Sequence, residues 1–214
     1  MSVTESFGRR LRWWTTTLAD PMSNMESQFY VERTTMTDNQ IKRLVERYRK
    51  AIETAHRKRL FIHDIALDDF PRGSCGDVSY LLAEYLHRHG IETIWYSAQR
   101  GDWSHAWLVV KDERVQEPTL NLFPWPEELR GVLAQYGVEH PERKVEIIKY
   151  EAEDLQHGLI IDITADQFDD YDSSAYVGEM DAFHRTFKFN QAHDYDGLRD
   201  DRLVCLYQTI EDYL

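Results

Sequence analysis

The chain has 214 residues, and its 38 acidic against 25 basic side chains leave a formal charge of −13. Hydrophobic residues make up 42% and aromatics 13%, enough for a packed core, which argues against disorder over most of the length. Mean hydropathy is −0.60, and no run approaches the roughly 18 apolar residues of a membrane span, so no transmembrane segment is expected.

Arg9, Arg10 and Arg12 break the one stretch that resembles a secretory apolar region, which argues against secretion. Two cysteines, Cys75 and Cys205, are too few for a disulfide framework or a cysteine-rich zinc site. A reducing, cytoplasmic location follows as the expectation. The charge is uneven: residues 1–60 carry 12 basic and 7 acidic side chains, and residues 61–214 carry 13 and 31. A body that acidic repels a phosphate backbone, so nucleic acid is not an expected partner.

In chain order, Met1 to about Asp20 reads as a basic amphipathic helix bearing Phe7, Leu11, Trp13, Trp14 and Leu18, stopped by Pro21. Such a helix either packs on the main domain or contacts a protein or a membrane surface. A polar connector completes residues 1–36, and residues 37–214 read as one domain. A firm helix is predicted from about Asp38 to Arg59, with Thr37 and Gln40 at capping-box spacing and Ile41, Leu44, Val45, Tyr48, Ile52 and Ala55 on one face. Its many Arg and Lys read as the solvated face. Residues 61–74 are a breaker-rich loop.

A second helix is predicted over Cys75–His89, with Gly90 just past its end. Strands are predicted at Ile91–Ala98, Trp103–Val110 and Arg114–Glu117, a short helix at Pro124–Gln135, and further strands at Lys144–Tyr150, Leu159–Thr164 and Phe183–Phe189. A last helix runs from about Asp200 to Tyr213. Helices first and a mostly antiparallel sheet after them describe an α+β fold.

The informative stretch is Gly73-Ser74-Cys75-Gly76-Asp77. Ser74 and Asp77 have the spacing of an N-cap pair, which makes Cys75 the first helical residue. Unpaired N–H groups and the positive end of the helix dipole there favour a thiolate. Gly76 leaves room beside the sulfur. A thiolate nucleophile needs a proton carrier, and His105, early in Trp103-Ser104-His105-Ala106-Trp107-Leu108, is the candidate. Alternation places His105 and Trp107 on one face of that strand. His87 and His89 sit about 18 Å along the helix from Cys75, too far to serve.

The second ring nitrogen of His105 needs an acceptor. Asp162, an acid inside Leu159-Ile160-Ile161-Asp162-Ile163-Thr164, and Glu117, before Pro118-Thr119, are the two candidates. A carboxylate in an apolar strand demands a partner.

Gly-Ser-Cys-Gly-Asp opening a helix, Ser-His-Ala-Trp opening a strand and Ile-Ile-Asp-Ile-Thr-Ala-Asp-Gln-Phe on a later strand resemble the transglutaminase-like branch of the papain-like cysteine hydrolases. The match covers about residues 70–110 and 158–168. The resemblance implies a papain/transglutaminase-like fold with Cys75 as nucleophile, His105 as base and acid, and Asp162, favoured over Glu117, as the orienting acid. It implies a thiol protease, glutamine deamidase or transglutaminase acting on a protein or peptide carboxamide, with the Cys75 N–H as one oxyanion donor. Bacterial and phage members of the superfamily include effectors and toxins, so action on a foreign protein is part of what it implies. Residues 111–157 make a longer insertion than the minimal family core.

Trp103 and Trp107 flank His105 and are candidate walls of a substrate groove. Gln99 and Ser104 are candidates for a second oxyanion donor. Asp166, Asp169, Asp170 and Asp172 lack the glycine and terminal glutamate of a calcium loop, and no Gly-rich phosphate loop is present, so neither a metal nor a cofactor is expected. Cys205 reads as filling at the edge of the core. The competing expectation is a catalytically silent protein-binding domain of the same fold.

Overall fold

The computed structural model describes residues 36–124 and 144–214. The expected N-terminal helix, its connector and the expected helix after Pro124 therefore lie outside the described residues. Helix α1 spans Asp38–Arg57, and both halves of the Thr37/Gln40 capping box are made. Its buried face carries Ile41, Val45, Tyr48, Ile52 and Ala55, the periodicity seen in the sequence. Arg49 departs from the solvated-face reading, because it is buried at the edge of that stripe.

Helix α2 spans Cys75–Arg88 and ends at Gly90, whose φ of 78° is the left-handed conformation that lets the chain turn into the sheet. Strands β1 (Thr93–Arg100) and β2 (Trp103–Val110) form a hairpin with Ile94 opposite Val109 and Ala98 opposite His105. The segment Arg114–Glu117 is not a strand. Asp112 accepts the Arg114 N–H at 2.9 Å and the Val115 N–H bonds the Asp112 carbonyl, so an Asx turn takes up the backbone groups that a ladder needs. Strands β3 (Thr119–Pro124) and β4 (Lys144–Lys149) pair with each other as a separate two-stranded sheet.

A one-turn helix α3 (Ala152–Leu155) leads to β5 (Ile160–Asp162), followed by a 3-10 turn at Ala165–Gln167 and β6 (Tyr176–Gly178). The expected strand Phe183–Phe189 is instead a 3-10 turn at His184–Thr186 running into β7 (Lys188–Asp194). Asp181 accepts the His184 N–H at 3.0 Å, and the Thr186 hydroxyl donates to the Phe183 carbonyl at 2.7 Å; these local bonds coil the segment despite its aromatic spacing. Helix α4 (Asp201–Glu211) is capped by Asp200 and buries Leu203, Leu206, Tyr207 and Ile210. Cys205 lies off that stripe and is exposed, so it fills no core.

The main sheet has the order β6-β5-β2-β1-β7, with every neighbouring pair antiparallel. Its two faces are both buried. Val78, Leu81 and Leu82 of α2 pack with Leu108, Val110 and Ile161 on the helix side. Trp107, Val109 and Ile160 pack with Phe168, Phe183 and Phe187 on the other. Helices against one face of an antiparallel sheet make this an α+β fold. No helix among the described residues is long and apolar enough to cross a membrane.

Candidate active site

The loop before α2 delivers Cys75. Gly73 turns the chain at φ 67°, and Ser74 is buried as the N-cap residue. The expected capping pair does not form. The Ser74 hydroxyl donates backwards to the Pro71 carbonyl at 2.8 Å, and Asp77 accepts from Arg202 of α4 at 2.6 Å. Tightening the loop and tying α2 to α4 consume the two groups, so the first amides of α2, that of Cys75 included, have no side-chain cap. Ser79, one turn later, donates to the Ala106 carbonyl of β2 at 3.2 Å and docks the helix beside the histidine strand. A Cβ added to Gly76 would meet nothing within 4 Å, so the helix surface at the residue after Cys75 is open.

Strands β2 and β5 place the other two groups. Leu108 pairs with Ile161 and Val109 with Ile160, so His105 and Asp162 project on the same face, diagonally across the ladder. His105 Nε2–H donates to Asp162 Oδ2 at 2.6 Å, with both side chains fully buried. Asp162 Oδ1 accepts the Thr164 N–H at 2.8 Å and the Thr164 hydroxyl at 3.1 Å. A second buried histidine, His184, brings Nε2 to within 3.2 Å of Asp162 Oδ2 and Nδ1 to within 2.7 Å of Asp181. With four polar neighbours the carboxylate is satisfied in an interior that would otherwise expel it. Glu117 is exposed in the loop before β3 and takes no part.

The proton affinities follow from this arrangement. Burial acts to push the Asp162 carboxyl up, but the charge and hydrogen bonds of His105 and His184 prevail and hold it far below the ordinary carboxylate range. Burial likewise disfavours a charged His105; the Asp162 carboxylate and then the Cys75 sulfur overcome it and raise the imidazole to about 9. At Cys75, burial raises the thiol, while the His105 hydrogen bond and charge and the Ala106 N–H lower it by more. The shifts all run toward an imidazolium on His105 and a thiolate on Cys75.

The rings of Phe168, Trp107, Phe187 and Phe183 stand 5.0 to 6.3 Å from the His105 ring and shield it from water. Trp107 is 0% exposed and forms the floor under the histidine, so it does not wall a groove. Trp103 is 68% exposed and lines a cavity of about 400 Å³ together with Phe168, Gly73 and Gln167. Arg72 and Arg100 also reach this cavity. Arg100 is engaged, with a two-pronged contact to Asp170 at 2.6 and 3.1 Å and its guanidinium over the Phe187 ring. Gln99 and Ser104 are exposed, and neither bonds the Cys75–His105–Asp162 set.

Three residues that the sequence pattern did not single out support the site. Gln167 accepts the Gly73 N–H at 3.2 Å and brings its amide nitrogen to within 3.2 Å of His105 Nδ1. His184 carried no signal, lying in a segment that reads as strand. Arg49 reaches across from α1 to the Ile163 carbonyl and grips Asp166 at 2.7 and 2.9 Å, which pins the turn following Asp162. Two of the four clustered aspartates are thus held by arginines, and no group of three or more His, Cys, Asp or Glu among the described residues is arranged to hold a metal. No family model, no curated protein and no solved structure matches the chain.

Proposed function

We propose that this protein is a thiol-dependent hydrolase or acyl transferase of papain/transglutaminase-like fold, acting on a peptide or carboxamide. The observation that carries the reading is a cysteine at the first position of a helix, its thiol lowered by the His105 imidazole, whose Nε2 is in turn held 2.6 Å from a buried carboxylate. The order of cysteine on a helix, then histidine and aspartate on neighbouring strands, supports the same class.

In this reading the Cys75 thiolate attacks the carbonyl carbon, and the oxygen takes the charge beside the Cys75 N–H. His105 gives its Nδ1 proton to the departing amine, leaving a thioester. His105 then takes a proton from water or from an acceptor amine as it attacks the thioester, and collapse releases the acyl group and restores the thiolate–imidazolium pair. Asp162 keeps the imidazole in the tautomer and orientation that both steps require. Trp103 and Phe168 offer apolar walls to a substrate side chain in a cavity of ordinary ligand-binding size.

The test is the pH dependence of Cys75 alkylation by iodoacetamide in a Cys205→Ala background, with and without His105→Ala. An activated pair labels rapidly well below pH 8.5 and slows when His105 is removed. Labelling that follows an ordinary thiol near pKa 8.5, indifferent to His105, rejects the enzyme and leaves a silent binding domain.

A further inference from the structure

We propose that Gln167 is the second oxyanion donor of this site, its side-chain N–H binding the charged oxygen of the tetrahedral intermediate alongside the Cys75 backbone N–H. The inference rests on the acyl-transfer reading above. Its starting point is the amide's orientation. The Gly73 N–H can only donate, so the group facing it at 3.2 Å is Gln167 Oε1, and the amide nitrogen is necessarily the end that faces His105 Nδ1.

His105 Nε2 is committed to Asp162, so Nδ1 is the atom that exchanges a proton with Cys75. Gln167 therefore points a donor at the place where that proton arrives. A bare Nδ1 accepts from Gln167; an Nδ1 that carries the proton of Cys75 does not. Formation of the thiolate–imidazolium pair thus strips the Gln167 N–H of its acceptor, while its carbonyl end stays held at Gly73.

The next acceptor to appear is the substrate's own oxygen. The sulfur lone pair forms the S–C bond, and the carbonyl π pair moves onto oxygen, giving the anion. Collapse re-forms the carbonyl, and the leaving amine departs with the Nδ1 proton, so electrons and protons balance within the site. A donor idle in the ground state and paired at the transition state lowers the barrier instead of merely tightening binding.

The mount is rigid. Gln167 ends the 3-10 turn whose Asp166 is gripped by Arg49, and it lines the cavity that Gly73, two residues before Cys75, also borders.

Two reactions of Cys75 separate this role from others. Acylation by p-nitrophenyl acetate passes through an oxyanion, whereas alkylation by iodoacetamide is a displacement at saturated carbon and forms none. Gln167→Ala removes the side chain, and Gln167→Glu keeps an acceptor for the Gly73 N–H but has no N–H of its own. Both substitutions should slow acylation about 10²-fold, with a far smaller effect on alkylation at the same pH. Far-UV circular dichroism reports whether each variant is folded. Wild-type acylation that persists unchanged in both variants overturns the assignment, as does an equal loss in both reactions, which would make Gln167 a positioning residue for His105. A wild-type chain that neither acylates nor alkylates faster than a free thiol overturns the acyl-transfer reading itself, and this inference with it.

Discussion

Replacing Asp162 by Asn tests the electrostatic core of the site in a quantity that needs no substrate. In the folded chain His105 is raised to about 9 from its ordinary 6.5. A raised histidine stabilises the fold fully below its unfolded value and loses that contribution as pH climbs through the folded one. The difference of about 2.5 units at roughly 1.4 kcal/mol each sets a ceiling on the order of 3 kcal/mol, carried below pH 6.5 and lost by about pH 9. Cys75 titrates in the opposite sense, since a depressed thiol gains stability as pH rises. Both chains are therefore compared in a Cys75→Ala background, where Asp162 is the charged group remaining on His105. The Asp162 contribution then amounts to about 2–3 kcal/mol.

Without the carboxylate, burial alone acts on His105 and depresses it, so the Asn variant gains stability as pH rises through the ordinary histidine range. The stability gap between Cys75→Ala and Cys75→Ala/Asp162→Asn, measured by urea unfolding, should be large at pH 6 and narrower by about 2–3 kcal/mol at pH 9. On the acid side the depressed Asp162 contributes above its ordinary value near 4, a contribution lost below it, so the gap also shrinks toward pH 3. A gap that stays constant from pH 6 to pH 9 would refute the claim that the carboxylate holds a charged imidazole.

Two further substitutions probe the scaffold. Arg49→Met removes the contacts to the Ile163 carbonyl and to Asp166, which is itself partly exposed and so partly rehydrated. It should cost about 2–3 kcal/mol in chemical unfolding, and a loss below about 0.5 kcal/mol would show that the turn after Asp162 holds its place unaided. Gly158→Ala drives a methyl group into Val109 Cγ1 and to 3.2 Å from Val115 Cγ2, just before β5. A cost of about 1–3 kcal/mol is expected, read as a lowered Tm, and an unchanged Tm would mean that β5 can shift away from β2.

Much of the site was legible because its local signals are short-range. The Thr37/Gln40 box and the 3.6-residue stripe marked α1, and the same periodicity marked α2 and α4. Cys75 stood out as the first residue of a helix after a glycine turn, and His105 as the histidine at the head of an apolar strand. Periodicity says which side chains turn inward, and it did so even for Asp162. It does not say what they meet there. It is Asp162 and not Glu117 that meets His105, because β5 pairs with β2 in a register that carries the carboxylate there from 57 residues away in the chain. Gln167 reaches Gly73 across 94 positions and Arg49 reaches Asp166 across 117. Such partners are chosen by strand pairing and helix docking, which no local window contains. The same holds for the misread segments. Ser74 and Asp77 had the spacing of a cap, but Pro71 and Arg202 offered them other bonds; Phe183–Phe189 had a strand's aromatics, but Asp181 supplied the acceptor that coiled it. The sequence by itself marked α1, α2 and α4 and singled out Cys75 and His105, because those signals depend on neighbours within one or two turns. Only the tertiary structure decided which carboxylate meets His105, which amide faces Nδ1 and which acid the buried arginine holds, because a polar side chain bonds to whatever packing brings within about 3 Å.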